Sequence, residues 1–163
     1  MPRHPTLVAT VLLVLAHAAP AFADATAFIG AHTNPERQQV RGFAGGFSLL
    51  IVGFEGEYAT AGEDESEGTP SLMTASGNVY AQTPFPVFGI QFYATTGAGV
   101  YREELDAIDH RETNLVFNTG GGAKITLVGP LRVRLDYRVL KLRGEPLRPS
   151  VVHRVYAGIN LAF

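Results

Sequence analysis

Between Leu131 and Val139 the chain alternates without a break: Leu131, Val133, Leu135, Tyr137 and Val139 share one parity, and Arg132, Arg134, Asp136 and Arg138 share the other. Successive side chains of an extended strand face opposite ways, so this segment presents one apolar face and one charged face. No helical period separates the two sets. A slip of one residue would carry three guanidinium groups onto the apolar side. At ~2–4 kcal/mol for each Arg on the mid-bilayer face of a barrel, that error fixes the register if the apolar side meets lipid. The C-terminus repeats the pattern: Val155, Ala157, Ile159, Leu161 and Phe163 oppose Arg154, Tyr156 and Asn160. One face wants lipid and the other wants water.

From Asp24 onward the chain divides into eight such runs: 25–32, 42–50, 52–61, 71–83, 87–102, 113–127, 131–141 and 151–163. Tight turns at 50–52, 84–86 and 128–130 alternate with longer polar loops around 33–41, 62–70, 103–112 and 142–150. Strict alternation of short and long connections, with an even strand count, predicts an all-β, eight-stranded antiparallel up-and-down transmembrane β-barrel. After Ala23 no stretch approaches 18 consecutive apolar residues, so a spanning structure has to be a closed barrel. In the fifth run Phe88, Ile90, Phe92, Ala94, Ala98 and Val100 are expected outward, and Gln91, Tyr93, Thr95 and Tyr101 inward. Val52, Phe54 and Tyr58 leave Glu55 and Glu57 facing the lumen. The first run shows no clear choice of face.

Ahead of these runs, Arg3 and His4 precede an apolar stretch from Leu7 to Ala16, and Ala21-Phe22-Ala23 supplies small residues two apart. This is the pattern of a cleaved signal peptide over 1–23, with the barrel domain over 24–163. Thirteen Lys and Arg stand against fifteen Asp and Glu, which argues against a nucleic-acid partner. The absence of Cys removes disulfides, zinc–thiolate sites and thiol catalysis together.

The exported chain, the Gly-Phe-Glu-Gly-Glu-Tyr stretch at 53–58, the Arg-Val-Arg-Leu-Asp-Tyr-Arg stretch at 132–138 and the terminal Phe163 resemble the small outer-membrane barrels of the OmpA/OmpX type. The resemblance covers the barrel portion of that group, without a peptidoglycan-binding domain. It implies residence in the outer membrane, contact with its lipid and lipopolysaccharide, a monomer, and recognition of Tyr156, Ile159, Leu161 and Phe163 by the barrel-assembly machinery. The chain departs from many relatives in having no Trp. Interfacial girdles then fall to Phe43, Phe47, Phe54, Tyr58, Phe88, Phe92, Phe117, Tyr137 and Phe163.

The inward charges expected are Glu55, Glu57 and Asp136 against Lys124, Arg132, Arg134, Arg138 and Arg154. Opposite signs on the third and seventh strands suit a salt-bridged, largely closed lumen, since buried ions persist when paired. A surplus of two cations leaves a narrow pore with weak anion preference as the alternative. The acidic clusters at 63–67 and 103–112 read as solvated loop tips, and no metal or cofactor site is expected. Some barrels of this type deacylate or acylate lipid A, which takes a Ser and a His oriented by a carboxylate. His153 has Val151 and Val155 at two residues either side where a deacylase-like pattern needs Ser, so no catalytic residue is expected. A soluble periplasmic lipocalin-like ligand binder would need the opposite polarity, apolar inside and charged outside.

Overall fold

The computed structural model describes residues 21–34, 37–63, 68–105 and 109–163. Eight strands follow one another: β1 (Ala21–His32), β2 (Gln38–Leu49), β3 (Val52–Ala61), β4 (Ser71–Gln82), β5 (Ile90–Leu105), β6 (His110–Val128), β7 (Leu131–Leu142) and β8 (Val151–Ala162). Each pairs antiparallel with the next, and β1 pairs with β8, so the sheet closes and has no edge. The closing rung is reciprocal: the Ala23 N–H donates to the Phe163 carbonyl and the Phe163 N–H to the Ala23 carbonyl, both at 2.9 Å. The connections 50–51, 83–89 and 129–130, with the start of β1 and the end of β8, mark one end of the barrel, the turn end. The other four connections mark the loop end.

The faces follow the alternation. On β7, Leu135 and Tyr137 are exposed while Arg134, Asp136 and Arg138 are buried. β5 obeys the same rule from Ile90 onward, and β3 turns Glu55 and Glu57 inward. β1 resolves as well: Asp24, Thr26, Phe28 and His32 point inward, Ala25, Ala27 and Ile29 outward. Phe28 fits inside because two glycines make room for it. A Cβ on Gly42 would lie 2.5 Å from the Phe28 ring, and one on Gly158 2.8 Å from its Cβ. The ring stacks on Tyr156, with centroids 4.0 Å apart and planes at 17°.

Four expectations need correction. β1 begins at Ala21, four residues ahead of the expected Ala25, while 1–20 of the expected signal peptide lie outside the described residues. β2 starts at Gln38, four residues ahead of the expected Gly42, because Gln38 and Val40 continue the inward parity. Phe88 is not on a lipid-facing strand: its φ of +52° and full exposure place it at the tip of a turn that the Val87–Ile90 bridge closes. The β5–β6 hairpin is three rungs longer than the polarity suggested, adding Glu103–Glu112, Glu104–Arg111 and Leu105–His110. Charge drew the sequence boundary at Arg102, whereas Glu103 finds a buried partner and the strand continues.

Candidate functional site

β3 and β7 stand opposite each other in the ring of eight, so their inward charges meet across the lumen. Arg134 bonds Glu55 through both terminal nitrogens and reaches Asp136 at 3.1 Å. Arg138 is held by three carboxylates: Glu55 at 2.8 Å, Glu57 at 2.9 Å and Asp136 at 3.1 Å. Arg154 on β8 pairs with Glu57, and Lys124 on β6 pairs with Asp24 on β1. Tyrosines complete the shell. Tyr93 donates to Asp136 and accepts from the Arg134 Nε at 2.7 Å, while Tyr156 donates to Asp136 at 3.0 Å. Buried ions are tolerated only with partners on this scale, and removing one partner from such a set typically costs ~3–5 kcal/mol.

Toward the loop end the lining changes character. Val40, Leu72, Val116, Leu140, Leu142 and Val152 are each at most 2% exposed and fill the section above the ions. Above that apolar layer lies a second charged contact. Arg148, on the connection between β7 and β8, turns back into the mouth, where its Nε donates to Glu103 at 2.7 Å and a terminal nitrogen to the Gln38 side-chain carbonyl at 3.2 Å. It also donates to the Pro70 carbonyl, and the Leu147 N–H donates to Glu103 at 2.9 Å. Glu103 is fully buried. The same connection is strapped to the β5–β6 hairpin: the Tyr101 hydroxyl donates to the Arg143 carbonyl at 2.5 Å, and the Glu145 N–H donates to Glu112 at 2.9 Å. That backbone N–H, with the Asn114 amide and the Tyr101 hydroxyl, holds the Glu112 carboxyl below the usual carboxylate range.

Of the eight lumenal charges named from sequence, Glu55, Glu57, Arg134, Asp136, Arg138 and Arg154 come together in one network. Lys124 stands apart with Asp24. Arg132 is partly exposed near the turn end, with Gln91 at 3.5 Å and no partner on its Nε. Asp24 corrects the charge count: with it, four anions face the five cations, and the lumenal surplus falls from two to one. Asp24 lies one residue ahead of the first run as the sequence defines it, 25–32. The acidic tip at 103–112 is also corrected, since Glu103 is buried against Arg148, Glu104 sits between Arg102 and Arg111, and Glu112 binds the strap. Asp106, Asp64, Glu65 and Glu67 lie outside the described residues. Extending the β5 alternation by one step beyond Tyr101 would have turned Glu103 inward; no comparable signal marked Arg148. At the C-terminus, Ile159, Leu161 and Phe163 face outward and Tyr156 inward, so those four residues do not share a face.

His153 lies on the outside near the loop end. Its ring Nδ1 and the Tyr137 hydroxyl form a hydrogen bond of 2.5 Å, and its backbone N–H donates to the Asn34 side chain. Val151 and Val155 share its face, as the sequence indicated.

An apolar exterior around an ionic interior is the polarity of a barrel that spans a membrane, and the fold is that of the small eight-stranded outer-membrane proteins. Among solved structures, the N-terminal β-barrel domain of Pseudomonas aeruginosa OprF is similar at 15% identity and a TM-score of 0.67, covering 87% of this chain and 97% of that one. Neisserial surface protein A is similar at 13% identity and a TM-score of 0.66, covering 88% and 96%. The outer membrane enzyme PagL is similar at 11% identity and a TM-score of 0.52, covering 85% and 98%. These likenesses are likenesses of fold. No known family pattern and no curated protein matches the sequence.

Proposed function

We propose that the protein is an integral outer-membrane barrel, a structural component of the envelope whose lumen is closed. The observation that carries this reading is the double obstruction: an ion network fills the middle of the lumen, and an apolar layer under the Arg148–Glu103 contact fills the section above it. A solute path would have to break both. The near balance of lumenal charge weakens the case for an anion pore, and the charged interior disfavours a lipocalin-like pocket for apolar ligands. A non-catalytic role is supported by His153, whose ring partner is a tyrosine hydroxyl where an acyl-transfer site would need a carboxylate to orient it.

The partners that accord with this role are outer-membrane lipid and lipopolysaccharide around the apolar face, and the barrel-assembly machinery at the C-terminal strand through Tyr156, Ile159, Leu161 and Phe163. The closed sheet leaves no strand edge for a second copy to pair with, which accords with a monomer. Planar-bilayer recording of the refolded protein tests the closed lumen. A flat trace is expected in the wild type and in Glu57→Gln, because the apolar layer remains when one pair is lost. Discrete conductance steps in the wild type would sink the reading.

A further inference from the structure

The turn end of the barrel carries no charged residue in any of its three connections: Leu50-Ile51, then Thr83 through Gly89, then Gly129-Pro130. Instead it displays large apolar side chains. Phe85 is 76% exposed, Val128 71%, Leu50 60% and Phe88 fully exposed. Two of these sit on backbone that disfavours them. Leu50 has φ +56° and Phe88 φ +52°, in the left-handed region where a two-residue hairpin ordinarily takes Asn or Gly. Water would favour a polar turn here. The local strain is tolerated in order to place a leucine and a phenylalanine at the tips.

Several backbone carbonyls at these tips are taken up by the protein itself. The Ile51 carbonyl accepts from the Gln82 N–H at 2.8 Å and the Leu50 carbonyl from the Gln82 side chain at 3.2 Å. The Gly89 carbonyl accepts from the Thr126 N–H, the Pro130 carbonyl from the Ala162 N–H, and the Thr83 carbonyl from the Gln91 side chain, all at 2.9–3.0 Å. Pro84, Pro86 and Pro130 present no N–H at all. Turn carbonyls satisfied by the neighbouring strand are what hydrocarbon demands and what water makes unnecessary.

The height of the apolar surface agrees. On the outside of the described strands the ionic side chains Arg41, Arg102, Glu104, Arg111 and Lys141 all lie toward the loop end. From Lys141 to Leu131 is ten residues, about 26 Å along the membrane normal at ~3.4 Å per residue and ~40° of tilt. From Arg41 to Leu50 is nine residues, about 23 Å by the same rise and tilt. An apolar band of ~25 Å hung from the charged rim therefore reaches the turns themselves.

We propose that the turn end is immersed in the adjoining lipid leaflet, with Leu50, Ile51, Phe85, Phe88 and Val128 anchored among acyl chains at the headgroup boundary. The inference rests on the membrane-spanning reading. Because the chain has no Trp, single substitutions report their own surroundings. Phe88→Trp, Phe85→Trp and Val128→Trp, each folded into vesicles, are compared with Phe92→Trp on the flank of the barrel. Expected is blue-shifted emission at the turn sites, quenched by brominated acyl chains as strongly as Phe92→Trp and insensitive to aqueous iodide. Red-shifted, iodide-quenched emission at the turns beside a lipid-quenched Phe92→Trp would overturn the proposal alone and leave the spanning barrel standing. Blue-shifted emission that neither agent quenches would overturn it in favour of a protein contact. A Phe92→Trp that bromine does not quench would overturn the membrane reading as well. Val128→Trp, in a strand residue without positive φ, serves where Phe88→Trp fails to fold.

Discussion

The lumen is crossed twice by buried ion pairs, assembled by different means. In the middle, strand parity alone assembles the ion network: each charged residue is two positions from another inward residue, and the closed sheet brings β3 opposite β7. At the mouth, the closure is made by a connection that bends back so that Arg148 meets Glu103, Gln38 and Pro70. Parity contacts are locked by every rung of the sheet around them. The mouth contact is held by a strap of a few hydrogen bonds, and water lies just beyond it. Similar ion pairs in the two places should therefore differ in cost and in what else moves when they are broken.

The largest effect is expected from Arg138→Met, which leaves Glu55, Glu57 and Asp136 without their shared cation. A loss of ~3–5 kcal/mol is expected in reversible urea unfolding from vesicles, with protection falling across β3, β7 and β8 together. If Arg138→Met were as stable as the wild type, the network would be decoration and the contrast with the mouth would collapse. Arg148→Met should cost less, ~1.5–3 kcal/mol, the range of a hydrogen bond to a charged group, because the freed connection can lift and let water reach Glu103. Hydrogen exchange should rise over 143–150 while the strands keep their protection. Exchange spreading into β7 and β8 would show that the two closures are one unit.

The smallest effect concerns acid and the strap. Glu112 has its folded pKa depressed, so the stability it contributes is present above its unfolded value and is lost as pH falls through the folded one. Acidification should therefore loosen the Glu145 N–H, and Glu112→Gln should remove that pH dependence. Exchange at Glu145 followed against pH provides the measurement; an identical profile in both proteins would assign the strap to something other than this carboxylate.

The sequence carried the middle of the molecule and not its mouth. Glu55, Glu57, Arg134, Asp136 and Arg138 were legible because the cost of a charge in hydrocarbon writes itself as a period of two. Asp24 and Phe28 were not, since Ala and Gly around them are neutral between faces and only the pairing with β8 decides. Phe88 misled for a related reason: an aromatic beside a strand looks like strand until its φ is known. The latch residue Arg148 follows no periodicity. Its position depends on the path of an eight-residue connection between Leu142 and Val151 and on partners far off in the chain.

Those distances set an order of events. Arg148 is 45 residues from Glu103, 78 from Pro70 and 110 from Gln38, so its partners come from three separate hairpin regions. A half-built sheet offers only some of them. The latch can shut only once β2, β4 and β5 are all seated, which makes it a late contact whose loop-closure entropy is met after the strands have paired. A protease cutting at 143–150 would thus distinguish a finished barrel from one that is merely inserted.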